Sequence, residues 1–238
     1  MPKFGTILAD PPWWYRAASS KMVAQSNEHY TQLSIEALCG LPVKEVVADD
    51  AYLFLWAAKT SLFDTSKVAA AWGFPHYSTA FYWTKVDSLG TSAAHVAKIA
   101  GRYAMSSTEP LLLFKRGRPP MVRSTESDTF WTPRQSVHSA KPDVVYDFIE
   151  KRHFYRGIEL TYPTSRLELF ARSHREPTYR ETKLASEAGR EPPALVRFRE
   201  APGRRGWTQI GAQFTDRHFS QPSGEDIVVS LKNLAAGE

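Results

Sequence analysis

The sequence predicts an α/β fold built on a doubly wound sheet with flanking helices, and three observations point to it. Short apolar runs rich in strand formers alternate along the chain with stretches carrying helix-start signals. The strongest runs, AYLFLWA at 51–57 and RLELFA at 166–171, have the length and content of buried strands. The 238 residues, 42% hydrophobic and 23% charged, have ordinary globular composition and suit one α/β domain.

The elements follow in order. Residues 4–9 form a short strand that stops at Asp10-Pro11-Pro12, where two prolines end hydrogen-bonded pairing. Residues 14–28 are polar and read as a loop. Residues 34–41 read as a short helix with Ser34 as N-cap. After the 51–57 strand, Ser61 and Asp64 open a helix that runs to Trp72 and stops at Gly73. Residues 77–86 and 111–114 are strands separated by a long loop. Pro142 occupies the first position of a helix continued by 144–151, and 166–171 is a late strand. Trp56, Trp72, Phe81 and Trp83 lie in apolar runs and belong to the core. Cys39, in the short helix, reads as a small buried apolar residue.

The net charge of +5 and a pI near 9.3 fit a polyanionic partner without demanding one. One cysteine excludes an internal disulfide and a multi-cysteine zinc site. His29, His138 and His174 lack metal-ligand spacing, so no metal is expected. No apolar run reaches membrane-spanning length and no signal-peptide core is present; the chain reads as cytoplasmic, without a membrane partner. There is no G-x-G-x-x-G and no Walker A pattern, so a dinucleotide site and a P-loop are unsupported.

Asp10-Pro11-Pro12-Trp13 carries the chemistry. A chance match to these four residue types is about one in a few thousand for such a chain. Placement matters more, because open α/β sheets bind ligands outside the carboxyl ends of their strands. An exocyclic amine conjugated to a base is a poor nucleophile. A carboxylate and a backbone carbonyl that accept its two N–H bonds would orient its lone pair toward an electrophile. The prolines fix φ and leave carbonyls without competing local donors, and an aromatic ring can stack on a base taken out of its helix. The plain alternative is a Pro-Pro turn with a packed Trp.

With these residues the chain resembles the DPPW-type adenine methyltransferases, whose eukaryotic members write N6-methyladenosine in messenger RNA and whose bacterial and phage members modify DNA. The resemblance extends through ADPPWWY (9–15), HYTQLSIEALCGLP (29–42), LFLW (53–56), AWGF (71–74), EPLLLF (109–114), HSAKPDVVY (138–146), LELFAR (167–172) and GWTQIGAQ (206–213), in family order. It implies a permuted, Rossmann-like class I methyltransferase fold with the catalytic strand first, as a single domain over 1–238. It implies S-adenosylmethionine as cofactor and S-adenosylhomocysteine as product. By the same resemblance Asp10, Pro11, Pro12 and Trp13 form the catalytic motif, and Asp10 also meets the amino group of the cofactor's methionine part. Lys141 contacts the methionine carboxylate, Arg172 and His174 lie near the ribose, and Gln213 near the ribose or adenine. Trp13, Tyr15 and Tyr30 are substrate-side aromatics.

Three departures stand against the family pattern. Ala212 replaces a common Asn, the strand–GW link is stretched by residues 175–205, and few residues precede the catalytic strand. The reading is methyl transfer to adenine of DNA, in a bacterial or phage-infected cell, with a homodimer or a family-type heterodimer as the assemblies open to it. RNA adenosine, the 4-amino group of cytosine, and a non-catalytic nucleic-acid-binding subunit are the alternatives.

Residues 175–205 read as an inserted basic excursion, with eight Lys/Arg, five Asp/Glu and four Pro. Arg197, Arg199, Arg204 and Arg205 are spaced to follow a phosphate backbone. Neutralising these four should weaken DNA binding and flatten the dependence of log affinity on log salt by about 0.7–0.9 for each lost contact, with donor affinity retained. Binding isotherms across a salt series check this; an unchanged slope would assign the segment to something other than phosphate.

Overall fold

A computed structural model of the chain describes residues 3–13, 32–87, 96–97, 103–120, 126–133, 141–151, 154–155, 158–159, 166–171, 207–211, 213–215, 218–220 and 224–237. At the heart of the sheet is β1 (Phe4–Ala9), six buried residues in a row. It pairs in parallel with β2 (Val47–Trp56) on one side and with β8 (Arg166–Ala171) on the other. Next to β8 lies β9 (Trp207–Gly211), also parallel. Beyond β2 come β4 (Thr108–Arg116), antiparallel to it, then β3 (His76–Val86), antiparallel to β4, then β5 (Thr129–Pro133), parallel to β3. The order is β5-β3-β4-β2-β1-β8-β9. All strands of this sheet except β4 therefore run the same way. The first strand of the chain sits at its centre, as the permuted Rossmann-like fold requires. Two small hairpins, β6 (Phe154–Tyr155) with β7 (Ile158–Glu159) and β10 (Gln213–Thr215) with β11 (His218–Ser220), stand outside it.

The strand period of two divides the apolar side chains between two cores. On one face Ile7, Ala9, Leu53, Leu55, Leu167 and Leu169 pack under α1 (Ile35–Cys39), α2 (Val43–Val46), α3 (Leu62–Ala71) and α5 (Gly224–Ala236). On the other, Leu8, Phe54, Trp56, Phe81, Trp83 and Leu111 pack under Val145, Tyr146 and Ile149 of α4 (Val144–Lys151). The result is the three-layer doubly wound arrangement read from the alternation of runs.

Local chemistry accounts for the helix ends. Ser34 caps α1, its side chain accepting the Ala37 N–H at 3.1 Å. Gly73, at φ +89°, closes α3: its N–H reaches Ala70 O at 2.9 Å and the Phe74 N–H reaches Ala69 O at 2.8 Å. Those are the paired bonds of a left-handed glycine C-cap. The four aromatics assigned to the core are buried.

Some expectations need correction. β2 begins at Val47 rather than residue 51, because Val46 ends α2 and the chain passes straight into the strand. Pro142 precedes the regular helix by two residues: a turn closed by Val145 N–H to Pro142 O at 3.2 Å leads into α4. Cys39 is only half-buried; burial pushes its thiol up, as does Glu36 nearby. Neither β5 nor α5 was anticipated.

Candidate active site

The site grows from the carboxyl end of β1. The Asp10 N–H still bonds to Leu169 O of β8, at 3.3 Å. The two prolines then remove the next donors, and the chain leaves the sheet. The motif is tied down by three further bonds. Trp13 N–H reaches Pro11 O at 2.8 Å, Leu33 N–H reaches Pro12 O at 2.9 Å, and the Trp13 indole N–H reaches Trp56 O at 2.9 Å. Both proline carbonyls therefore already accept a bond, contrary to the expectation of open acceptors. Each oxygen keeps a second lone pair, so an incoming amine would share the carbonyl. Trp13 is 3% exposed and packs in the core with Ala9, Leu33 and Leu169. A ring so covered serves as an anchor joining the motif to the end of β2, and the base-stacking role expected of it is not open to it in this arrangement.

Beside the motif stands a row of alternating charge. The Asp10 Oδ2 and Lys141 Nζ atoms are 2.9 Å apart, and both side chains are 13% exposed. Lys141 also faces Glu109 Oε2 at 3.5 Å. The other oxygen of Glu109 forms a short ion pair with Lys85. Lys141 lies 5.5 Å from the Trp56 ring centroid, and Lys85 lies 4.9 Å from that of Trp83. The two rings meet edge to face at 6.2 Å. The row thus lies on an indole floor, where cation–π attraction holds ammonium groups. At its margin, Lys59 donates to Ser106 Oγ at 3.3 Å. Desolvation pushes the Lys59 ammonium down against the pull of Glu109, and Lys85 adds to the fall.

Strand direction explains how these residues meet. Asp10, Trp56 and Lys85 lie at the carboxyl ends of parallel strands. β4 runs the other way, so its amino end, with Glu109 opposite Trp83, reaches the same edge. Lys141 arrives on the turn that enters α4. Burial by itself pushes the Glu109 carboxyl up, but Lys141 and Lys85 outweigh it and hold the group at about 2.

At the neighbouring strand end, Phe170 adopts φ +60° at a bulge between β8 and β9. A left-handed non-glycine residue costs on the order of 1–3 kcal/mol and persists only where packing dictates it. Phe170 is fully buried. The bulge lies beside the point where Leu169 O accepts the Asp10 N–H.

Of the residues singled out from sequence, Asp10, Pro11, Pro12, Trp13 and Lys141 come together here. Gln213 heads β10, two positions past the carboxyl end of β9; its side chain is outside the described part. Tyr15, Tyr30, Arg172, His174, Arg197, Arg199, Arg204 and Arg205 lie outside the described residues. Sequence reasoning missed Glu109 and Lys85 as site residues. The visible signal was a carboxylate heading the apolar run EPLLLF, but only the reversal of β4 makes that head an active-edge position.

The MT-A70 family pattern matches residues 4–181. The chain belongs to the MT-A70 family. This MT-A70 member is 28% identical over 190 residues to a Type II methyltransferase, M.MunI, of a Mycoplasma species, covering 72% of this chain and 73% of that protein. It is 30% identical to a DNA N6-methyl methyltransferase of Caenorhabditis elegans, over 71% of this chain and 42% of the relative. It is 26% identical to a probable N(6)-adenosine-methyltransferase MT-A70-like of rice, over 72% of this chain and 21% of the relative. The chain thus spans most of the length of the Mycoplasma protein and less than half of the other two.

Two outcomes follow from this geometry. Trp13→Phe keeps a ring but removes the buried bond to Trp56 O, so it should lower the unfolding free energy by about 1–2 kcal/mol, read from urea denaturation; an unchanged midpoint would show that the bond does not anchor the motif. A carboxyl with an ordinary value of 4.5, held at about 2 in the fold, contributes stability that is complete above about 4.5 and is lost as pH falls toward 2. Melting temperatures between pH 5 and 2 should therefore fall less steeply in Glu109→Gln than in the parent, and parallel curves would contradict that coupling.

Proposed function

We propose that the protein transfers a methyl group from S-adenosylmethionine to the 6-amino group of adenine in DNA. The observation that carries this reading is the Asp10–Lys141 pair beside the strand-end prolines. The methionine part of the donor bears one carboxylate and one ammonium group. An anion and a cation 2.9 Å apart, both largely shielded from water, present the matching pair. The residues therefore fit the donor: Lys141 would hold its carboxylate, and Asp10 would face its ammonium group.

The donor supplies a methyl group on a sulfonium centre, which an amine nitrogen can attack in line. The chain's part is positioning and electrostatics, which can be worth up to about 7–11 kcal/mol for well-oriented reactants. The Asp10 carboxylate has acceptor capacity beyond one lysine. One of its oxygens would accept an N–H of the adenine amine while a proline carbonyl accepts the other. That orientation favours a pyramidal nitrogen with its lone pair turned to the methyl. Trp13, anchored to Trp56 O, holds the motif so that these acceptors do not drift. Arg172, His174 and Gln213 are proposed at the donor's ribose and adenine, Tyr15 and Tyr30 on the substrate side, and the four arginines of the insert on phosphate. DNA is supported by the Mycoplasma and nematode relatives, whose names are those of DNA-modifying or Type II enzymes.

The deciding experiment incubates the protein with labelled donor and double-stranded DNA, single-stranded DNA or RNA. Mass spectrometry then identifies the product. N6-methyladenine in DNA is expected; label in RNA alone, in cytosine, or in nothing would each overturn the assignment. Asp10→Ala should lose nearly all turnover with the fold retained, and Asp10→Asn should keep slightly more. Lys141→Ala removes a charge-assisted bond worth roughly 1.5–3 kcal/mol, so donor affinity by calorimetry should fall about tenfold to a hundredfold.

A further inference from the structure

The row Asp10–Lys141–Glu109–Lys85 has a consequence for the donor that the two end residues do not explain. Lys141 is shared between two carboxylates, Asp10 at 2.9 Å and Glu109 at 3.5 Å. Asp10 must turn at least one oxygen to the adenine amine during the reaction. An ammonium held by Asp10 alone would compete for that oxygen and would follow it. Glu109, on a different strand, offers Lys141 a second point of attachment that does not move with Asp10. Yet Glu109 also puts a negative charge beside the place where the donor's carboxylate would come. Lys85, paired with its other oxygen, cancels that charge. The four groups together sum to zero.

We propose that Glu109 is a positioning residue that holds the Lys141 ammonium off the Asp10 oxygen needed by the amine, and that Lys85 is the counter-charge that lets Glu109 do so without repelling the donor's carboxylate. The proposal rests on the reading of Lys141 as the donor's carboxylate contact. The low carboxyl value of Glu109 agrees with it, since the group stays charged at any working pH. The indole floor agrees as well: each ammonium lies over its own Trp ring, Lys141 over Trp56 and Lys85 over Trp83, so the cations are held from below while Glu109 bridges them.

The test is a charge cycle on the full-length protein, read by calorimetric titration with S-adenosylhomocysteine and by steady-state kinetics. Glu109→Gln removes an anion, so donor-site affinity should hold or rise, while kcat falls about tenfold as Lys141 settles on Asp10. Lys85→Met leaves Glu109 without its counter-charge, so affinity should fall about tenfold. The double variant should bind within about threefold of the parent, the second change rescuing the first, while kcat stays low. A packing role for either residue would instead make the double variant worse than both singles, and that result would overturn the proposal. So would a loss of affinity in Glu109→Gln as large as in Lys141→Ala. The two readings fail separately. If Lys141→Ala binds S-adenosylhomocysteine like the parent, the donor contact itself is wrong; if it loses binding and the cycle shows no rescue, only the positioning role is wrong. Melting curves of each variant confirm that the compared proteins are folded.

Discussion

The Asp10–Lys141 ion pair joins the end of the first strand to the entry of a helix 131 residues later. The rest of the site is arranged around keeping those two charges together and shielded. Such a pair is a poor device for stability alone. Removing two charges from water costs several kcal/mol per ion, and an apolar pair of similar size often does as well. Its persistence at a strand end, with a second carboxylate and a second ammonium extending it, is better explained by chemistry. Partial burial also limits screening by salt, so the groups act on each other and on a charged ligand more strongly than surface residues would.

The fold supplies this arrangement through its edges rather than its core. Both faces of the sheet are covered by helices, and the charged row lies at the rim where the parallel strands end. β1 delivers the carboxylate, β2 delivers Trp56, and β3 delivers Lys85. The reversed β4 delivers Glu109 from its opposite end. Anchoring is indirect but firm: the Trp13 indole bond to Trp56 O ties the proline turn to β2, and the Asp10 N–H bond to Leu169 O ties it to β8.

Tryptophan has two uses here that composition cannot separate. Trp72 is a plain core residue, its indole N–H satisfied by Leu38 O at 2.8 Å. Trp56 and Trp83 are equally buried but carry lysines over their rings. The Trp56 indole nitrogen has no hydrogen-bond partner among the described residues. A buried donor left in that state costs about 1–3 kcal/mol.

The local features were legible in the sequence because they depend on neighbours in the chain. Pro11 and Pro12 end β1 whatever surrounds them, Ser34 caps its helix, and Gly73 takes the positive φ that closes the next one. The strand-end position of the motif was legible for the same reason: an Asp before two prolines is a local statement. What only the tertiary structure decided is which distant charges meet Asp10, and whether Trp13 faces a ligand or the core. Glu109 lies at the head of a strand, and the chain carries no local mark of that strand's direction. Had β4 run parallel to its neighbours, Glu109 would sit at the far edge of the sheet. The antiparallel pairing of β4 with β2 and β3 brings its carboxylate to Lys141 and completes the row.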